Sequence, residues 1–149
     1  MKKLLKITSI FLVLISVMSC SKEDDDKTVN PSLVGKWEYD KIGTINSSGE
    51  EVLNSYVHAC STKKDFVEFT ETTFSETTFG GGCETYTANY PSYAKNDNIV
   101  RFYTNGNAEA SFYYEILSLT ETDLKVKSIY TSVIASKASY TTLIVFKRK

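Results

Sequence analysis

A chain of 149 residues with 17 Lys and Arg against 18 Asp and Glu has a formal net charge of −1. Past the N-terminal lysines, basic residues are adjacent only at Lys63–Lys64 and Lys147–Lys149. That falls short of the basic face a polyanion requires and excludes nucleic acid as a partner.

In chain order, Lys2, Lys3 and Lys6 precede an apolar run from Ile7 to Met18, interrupted only by Thr8, Ser9 and Ser16. This predicts a signal peptide over residues 1–19, too short to span a bilayer. It ends Val17, Met18, Ser19, Cys20, which resembles the lipobox of bacterial lipoproteins. The resemblance implies that Cys20 receives a diacylglycerol and becomes the mature N-terminus, with the membrane as a partner through its lipid. Each buried methylene contributes about 0.8 kcal/mol, so several acyl chains on one protein anchor it permanently. The competing reading is a plain secretory signal with an incidental Cys.

Residues 20–30 follow as an acidic tether: Ser21, Lys22, Glu23, Asp24, Asp25, Asp26 and Lys27 are too charged to fold. They lack the glycine and the spaced oxygens of a calcium loop. Acidic residues directly behind a lipidated Cys resemble the export tag of some Gram-negative lipoproteins, which implies anchoring in the outer membrane and display at the cell surface. Removal of residues 1–19 leaves 14 basic residues against 18 acidic ones, a mature net charge of −4.

The folded domain is read over 31–149, one domain by length and without an internal repeat. Asn30 caps a short turn that Pro31 preorganises, and Gly35 relieves the backbone ahead of Trp37, the one Trp. Eight runs then show two-residue alternation with β-branched or aromatic content: Lys36 to Ile45, Asp65 to Thr70, Thr73 to Phe79, Glu84 to Ala94, Ile99 to Thr104, Ala110 to Leu119, Leu124 to Thr131 and Tyr140 to Lys147. Gly80–Gly82, Asn96–Asn98 and Asn105–Asn107 supply turns, so consecutive strands are expected to be antiparallel neighbours. Leu124 and Val126 alternate with Lys125 and Lys127, giving one wet and one buried face. Leu143, Ile144, Val145 and Phe146 are apolar on both parities and predict a strand covered on both sides.

A turn and then Gly35-x-Trp37 opening an all-β chain resembles the start of lipocalin-like domains. The segment Tyr113, Tyr114, Glu115, Ile116, Leu117, Ser118, Leu119, Thr120, followed by Thr122 and Leu124, is similar to small bacterial lipocalin-like lipoproteins. The resemblance implies an all-β, eight-stranded antiparallel up-and-down barrel whose last strand pairs with its first. It also implies that Trp37 plugs the closed end, with Arg148 or a neighbouring Lys stacked on the indole. The long connections Asn46–Lys64 and Ser132–Ser139 would then lie at the opposite, open rim.

Cys60 and Cys83 remain as an even pair in an oxidising compartment and are expected to form a disulfide. A loop of about 22 residues closed in this way contributes roughly 3 kcal/mol by chain-entropy reasoning. A metal site fails for want of ligands, since His58 is the one His. No cofactor is implied.

Catalysis finds little support. His58 has no acidic residue at a telling spacing for a hydrolase triad, and neither Glu76 with Glu84 nor Glu68 with Glu71 stands out among strand carboxylates. Two functions remain, neither of them enzymatic, beside a structural surface protein with no specific ligand. In one, the barrel is a calyx for a small apolar or amphipathic ligand, walled by a mature chain with 10 Tyr, 7 Phe and 1 Trp. Its candidate contacts are Tyr56 and His58 in the long rim connection and Tyr39, Tyr103 and Tyr114 on strands. Tyr39 shares the parity of Trp37 and so faces inward with it. For His58 the alternative is a solvated loop residue, and for the aromatics a filled interior. In the other function, rim loops engage an extracellular protein partner, as an inhibitor module would.

Overall fold

The computed structural model describes residues 31–46, 48–104, 110, 112–130 and 141–149, Tyr130 by its backbone alone. The expected signal peptide, Cys20, the expected acidic tether, Asn30 and residues 105–109 and 131–140 lie outside the described residues. Among those described, one antiparallel sheet holds β1 (Gly35–Ile45), β2 (Glu51–Ser55), β3 (Phe66–Phe69), β4 (Phe74–Phe79), β5 (Thr85–Tyr90), β6 (Ser92–Asn96), β7 (Ile99–Tyr103), β8 (Phe112–Leu119), β9 (Asp123–Tyr130) and β10 (Thr141–Arg148). Their hydrogen-bonded order is β5-β4-β3-β1-β10-β9-β8-β7-β6, with β2 added to β1.

Ten strands stand where eight were expected, and two local causes account for the difference. The run Glu84 to Ala94 is divided at Pro91, which has no N–H to give a ladder. β5 pairs with β4 and β6 with β7, so the two halves of one expected strand lie at opposite ends of the sheet. The chain itself carries the barrel across that seam. Tyr93 reinforces it, its N–H bonding Thr72 O at 3.2 Å and its hydroxyl Thr70 O at 2.8 Å. The second cause is β2, which forms inside the connection read as a loop. Asn46 Oδ1 accepts the N–H groups of Ser48 and Glu50, turning the chain so that Glu51–Ser55 runs back along Lys41–Ile45. Gly43 permits this close return, because a Cβ there would lie 1.8 Å from Val52 O.

β1 thus serves three neighbours. Gly35–Glu38 pair with β3, Lys41–Ile45 with β2, and its other edge with β10, across a bulge between Tyr39 and Lys41. The first and last strands meet in the expected antiparallel register, with Trp37 opposite Arg148 and Tyr39 opposite Phe146.

Alternation sends Trp37 and Tyr39, Val67 and Phe69, Phe74, Val100 and Phe102, Phe112 and Tyr114, Leu124 and Val126, and Ile144 and Phe146 into one buried cluster. Phe102 sits at its centre, with ring centroids 4.3 Å from Phe74, 4.4 Å from Phe112 and 4.9 Å from Tyr114. At this level the barrel is solid, filled by its own aromatics. Leu143, of the opposite parity, is fully buried too.

Ahead of β1, residues 31–34 make a bend at Leu33 in place of the short turn expected at Pro31. Leu33 O accepts the indole Nε1–H of Trp37 at 2.8 Å, which seals the base of the barrel. The disulfide between Cys60 and Cys83, with Cα atoms 4.9 Å apart, ties the segment after β2 to the β4–β5 turn.

Candidate functional site

Above the aromatic floor the interior opens into a cleft of about 200 Å³. Its polar wall consists of Tyr39, Tyr56, Glu76, Ser128 and Thr142, and its apolar wall of Ile42 and Ile144. β4 brings Glu76, β9 Ser128 and β10 Thr142 with Ile144 by the same alternation that fills the floor; β1 brings Tyr39 by that alternation and Ile42 by the bulge that shifts its register before Lys41. Tyr56 arrives from the connection just past β2, where its N–H bonds Asp40 O at 2.8 Å.

The phenol of Tyr39 donates to Glu76 Oε1, and its ring stacks on Tyr56 with centroids 4.6 Å apart and planes at 24°. Burial, the nearby Tyr114 and Glu76, and that hydrogen bond hold the Tyr39 hydroxyl protonated far above its ordinary range. Burial also pushes Tyr56 up, to about 12, helped by its hydrogen bond to the Asp65 carboxylate. Both phenols are therefore fixed donors at neutral pH.

Behind Tyr56 lies a support of buried polar groups. Asp65 is buried, and its Oδ1 accepts the Phe79 N–H at 2.7 Å. His58 sits edge-on to Tyr56 at 4.9 Å, and its Nδ1 accepts the Asp65 N–H at 2.9 Å. Since Nδ1 holds a lone pair for that amide, its 3.5 Å approach to Asp65 Oδ2 joins two acceptors and is not an ion pair. His58 is thus a packed brace for the Tyr56 wall; the reading of it as a solvated loop residue gives way to this hydrogen-bonded position.

Ser128 differs from every other group in the cleft. It is 1% exposed, and its Oγ has no hydrogen-bond partner among the described residues. A buried hydroxyl in that state costs on the order of 1–3 kcal/mol.

Of the candidates read from the sequence, Tyr39 and Tyr56 line the cleft and His58 braces it. Tyr114 is buried in the aromatic floor, directly across the ladder from Ser128. Tyr103 alternates with buried Phe102 and shares the face of exposed Arg101, so it points away from the interior. Trp37 seals the base and does not line the cleft. Glu76, Ser128, Thr142 and the two isoleucines were not singled out, although Ser128 continues the Leu124, Val126 alternation and Thr142 and Ile144 continue that of Phe146.

Two larger hollows lie elsewhere, about 530 Å³ along β4 and β5 and about 390 Å³ over Phe66 and Phe79. Neither has a buried unpartnered group, and the second is already bridged by Lys64 and Lys149 on Glu38. Among the described residues no group of three or more His, Cys, Asp or Glu could hold a metal ion.

No family model matches the chain, and no curated protein does. Among solved structures, the chain is similar to a lipocalin-like protein from Bacteroides uniformis, with a TM-score of 0.53 and 13% identity over 78% of this chain and 98% of that one. It is also similar to an uncharacterized protein from Bacteroides eggerthii, with a TM-score of 0.53 and 11% identity over 79% of this chain and 100% of the other. At such low identity the likeness is one of fold, and the fold is that of a lipocalin-like antiparallel β-barrel.

Proposed function

We propose that this protein is a lipid-anchored lipoprotein of the outer membrane, displayed at the cell surface, whose lipocalin-like barrel binds a small amphipathic molecule and catalyses no reaction. The observation that carries the binding reading is the cleft itself, with phenols, a carboxylate and a hydroxyl gathered with Ile42 and Ile144 around one opening. Its volume of about 200 Å³ lies below the usual ~300–1,000 Å³ of small-molecule sites. The aromatic floor blocks deeper entry, so the cleft suits a small molecule or the head of a longer one. A binding role also fits the chemistry of the residues: the one His, His58, accepts the Asp65 N–H through Nδ1. The order Val17 to Cys20 behind a short apolar run supports the anchor, and Glu23 to Asp26 support surface display.

The purified protein should melt at a higher temperature in the presence of its ligand, rising with the logarithm of ligand concentration. Fatty acids, sterols, tetrapyrroles and small aromatic amphipaths form the panel. An Ile42→Trp variant, which fills the mouth from a rim position 36% exposed, should abolish the shift. If no compound raises the melting temperature, or if the rise survives Ile42→Trp, the cleft is not the binding site.

A second reading has one observation in its favour. Val57 is 86% exposed, with Val52 and Ile45 also exposed on the β1–β2 arm, an apolar rim suited to a protein partner. Capture of one defined extracellular protein, lost in Val57→Asp, would favour it.

A further inference from the structure

We propose that the cleft is selective for a protonated amine: it takes the ammonium head of a small amphipath and rejects a carboxylate. This rests on the binding role proposed above and names the chemistry of the head group.

Three acceptors line the cleft. Glu76 gives Oε1 to the Tyr39 phenol, which leaves its second oxygen. The Tyr39 oxygen donates its proton to Glu76 and keeps lone pairs. Ser128 Oγ is buried and has no partner among the described residues. An ammonium carries three donors and no acceptor, which matches that set, whereas a carboxylate brings acceptors alone.

Charge leads to the same choice. Among the described residues, Glu76 is the one formally charged residue lining the cleft, and no Lys or Arg lines it. The lysines of the neighbouring strand lie on the outer face, Lys125 paired with Glu51 and Lys127 with Glu115. Neither phenol offers its proton to an incoming anion, since Tyr39 donates to Glu76 and Tyr56 to the Asp65 carboxylate. An anion would therefore face an uncompensated carboxylate in a partly dehydrated cleft, while an ammonium would pair with that carboxylate and donate to Ser128 Oγ. Ile42 and Ile144 on the other wall leave room for a short apolar tail.

The test compares three probes of one shape, hexylammonium, 1-hexanol and hexanoate, titrated calorimetrically into the purified protein at neutral pH and low salt. Hexylammonium should bind at least ~10-fold more tightly than hexanoate, with hexanol between them, as expected of charge-assisted against neutral hydrogen bonds. Glu76→Gln keeps an acceptor for Tyr39 and should bring the amine down to the affinity of the alcohol. Ser128→Ala should weaken amine and alcohol alike by several-fold without lowering the melting temperature of the unliganded protein. Added salt should weaken the amine and leave the alcohol unchanged, a check that needs no variant. Equal or tighter binding of hexanoate, or an amine preference unchanged in Glu76→Gln, overturns the head-group assignment while the cleft remains a binding site. Failure of all three probes to bind overturns both.

Discussion

The guanidinium carbon of Arg148 lies 4.1 Å from the centre of the Trp37 ring, and the same side chain gathers three backbone carbonyls beneath it. Nε donates to Glu121 O at 2.7 Å, Nη1 to Val34 O at 3.0 Å and Nη2 to Ser32 O. Cation–π attraction and a fixed fork of donors thus close the base of the barrel together.

Gly35 makes room for this arrangement. Its φ is 138°, and a Cβ there would lie 2.6 Å from Arg148 Nη1. Gly35→Ala should destabilise by on the order of 1–3 kcal/mol through backbone strain and displacement of the guanidinium. Arg148→Lys should cost about 1–2 kcal/mol by losing the fork. In urea denaturation the two losses should be less than additive when combined, since one acts partly through the other. Strict additivity would mean that Gly35 acts through its backbone alone.

The Cys60–Cys83 bridge fastens the segment carrying Tyr56 and His58. Replacing both cysteines with Ala should lower stability by about 3 kcal/mol, the loop-closure value for a bridge of this span. Reduction of the wild type should lower its urea midpoint to that of the double variant. A reduced wild type as stable as the oxidised form would show that the bridge adds nothing to the fold.

Alkaline stability should report Tyr39 and Tyr56. Burial raises both phenols above their ordinary value of 10, Tyr56 to about 12 and Tyr39 further. Their contribution is fully present below about pH 10 and is lost as pH rises toward and through the folded values, because the unfolded chain releases its protons first. Urea midpoints should therefore fall from pH 10 to 12, and more shallowly in Tyr39→Phe and Tyr56→Phe. Absorbance at the phenolate band should show a late-titrating fraction of the tyrosines. Titration of all tyrosines together in the folded protein would contradict the buried, hydrogen-bonded phenols.

The membrane anchor is tested by Cys20→Ala, which should shift the protein from the membrane fraction to the soluble one. Neutralising Glu23, Asp24, Asp25 and Asp26 should leave it in the membrane but protect it from protease added to intact cells. A Cys20→Ala protein that stays membrane-bound would refute lipidation at Cys20. Equal shaving of both tether forms would reduce the acidic run to a spacer.

Wherever alternation was unbroken, the fold was legible from the residues. Leu124 and Val126 against Lys125 and Lys127 marked the inner face of β9, and one more step along the same parity reaches Ser128. β2 escaped notice because Glu51–Ser55 is wet on both faces and so lacks an apolar rhythm; the turn chemistry at Asn46 and the close approach at Gly43 were its only signals. Pro91 was a visible break inside a run read as continuous. Tyr103 required parity to be counted from Phe102. Glu76 shares a face with Phe74, but a carboxylate on an inner face reads as an exposed one until a partner such as Tyr39 is seen to reach it.

The pairing of β1 with β10 also sets an order of events during folding. Trp37 stands opposite Arg148, so the contact that completes the base spans nearly the whole domain, and loop closure of that length is slow compared with the formation of hairpins. The hairpins from β3 to β9 can form as soon as they are made, but the ring cannot close until β10 arrives. A chain cut before Thr141 would leave β1 and β9 with bare edges at once, a template for pairing with other chains and a direct route to aggregation.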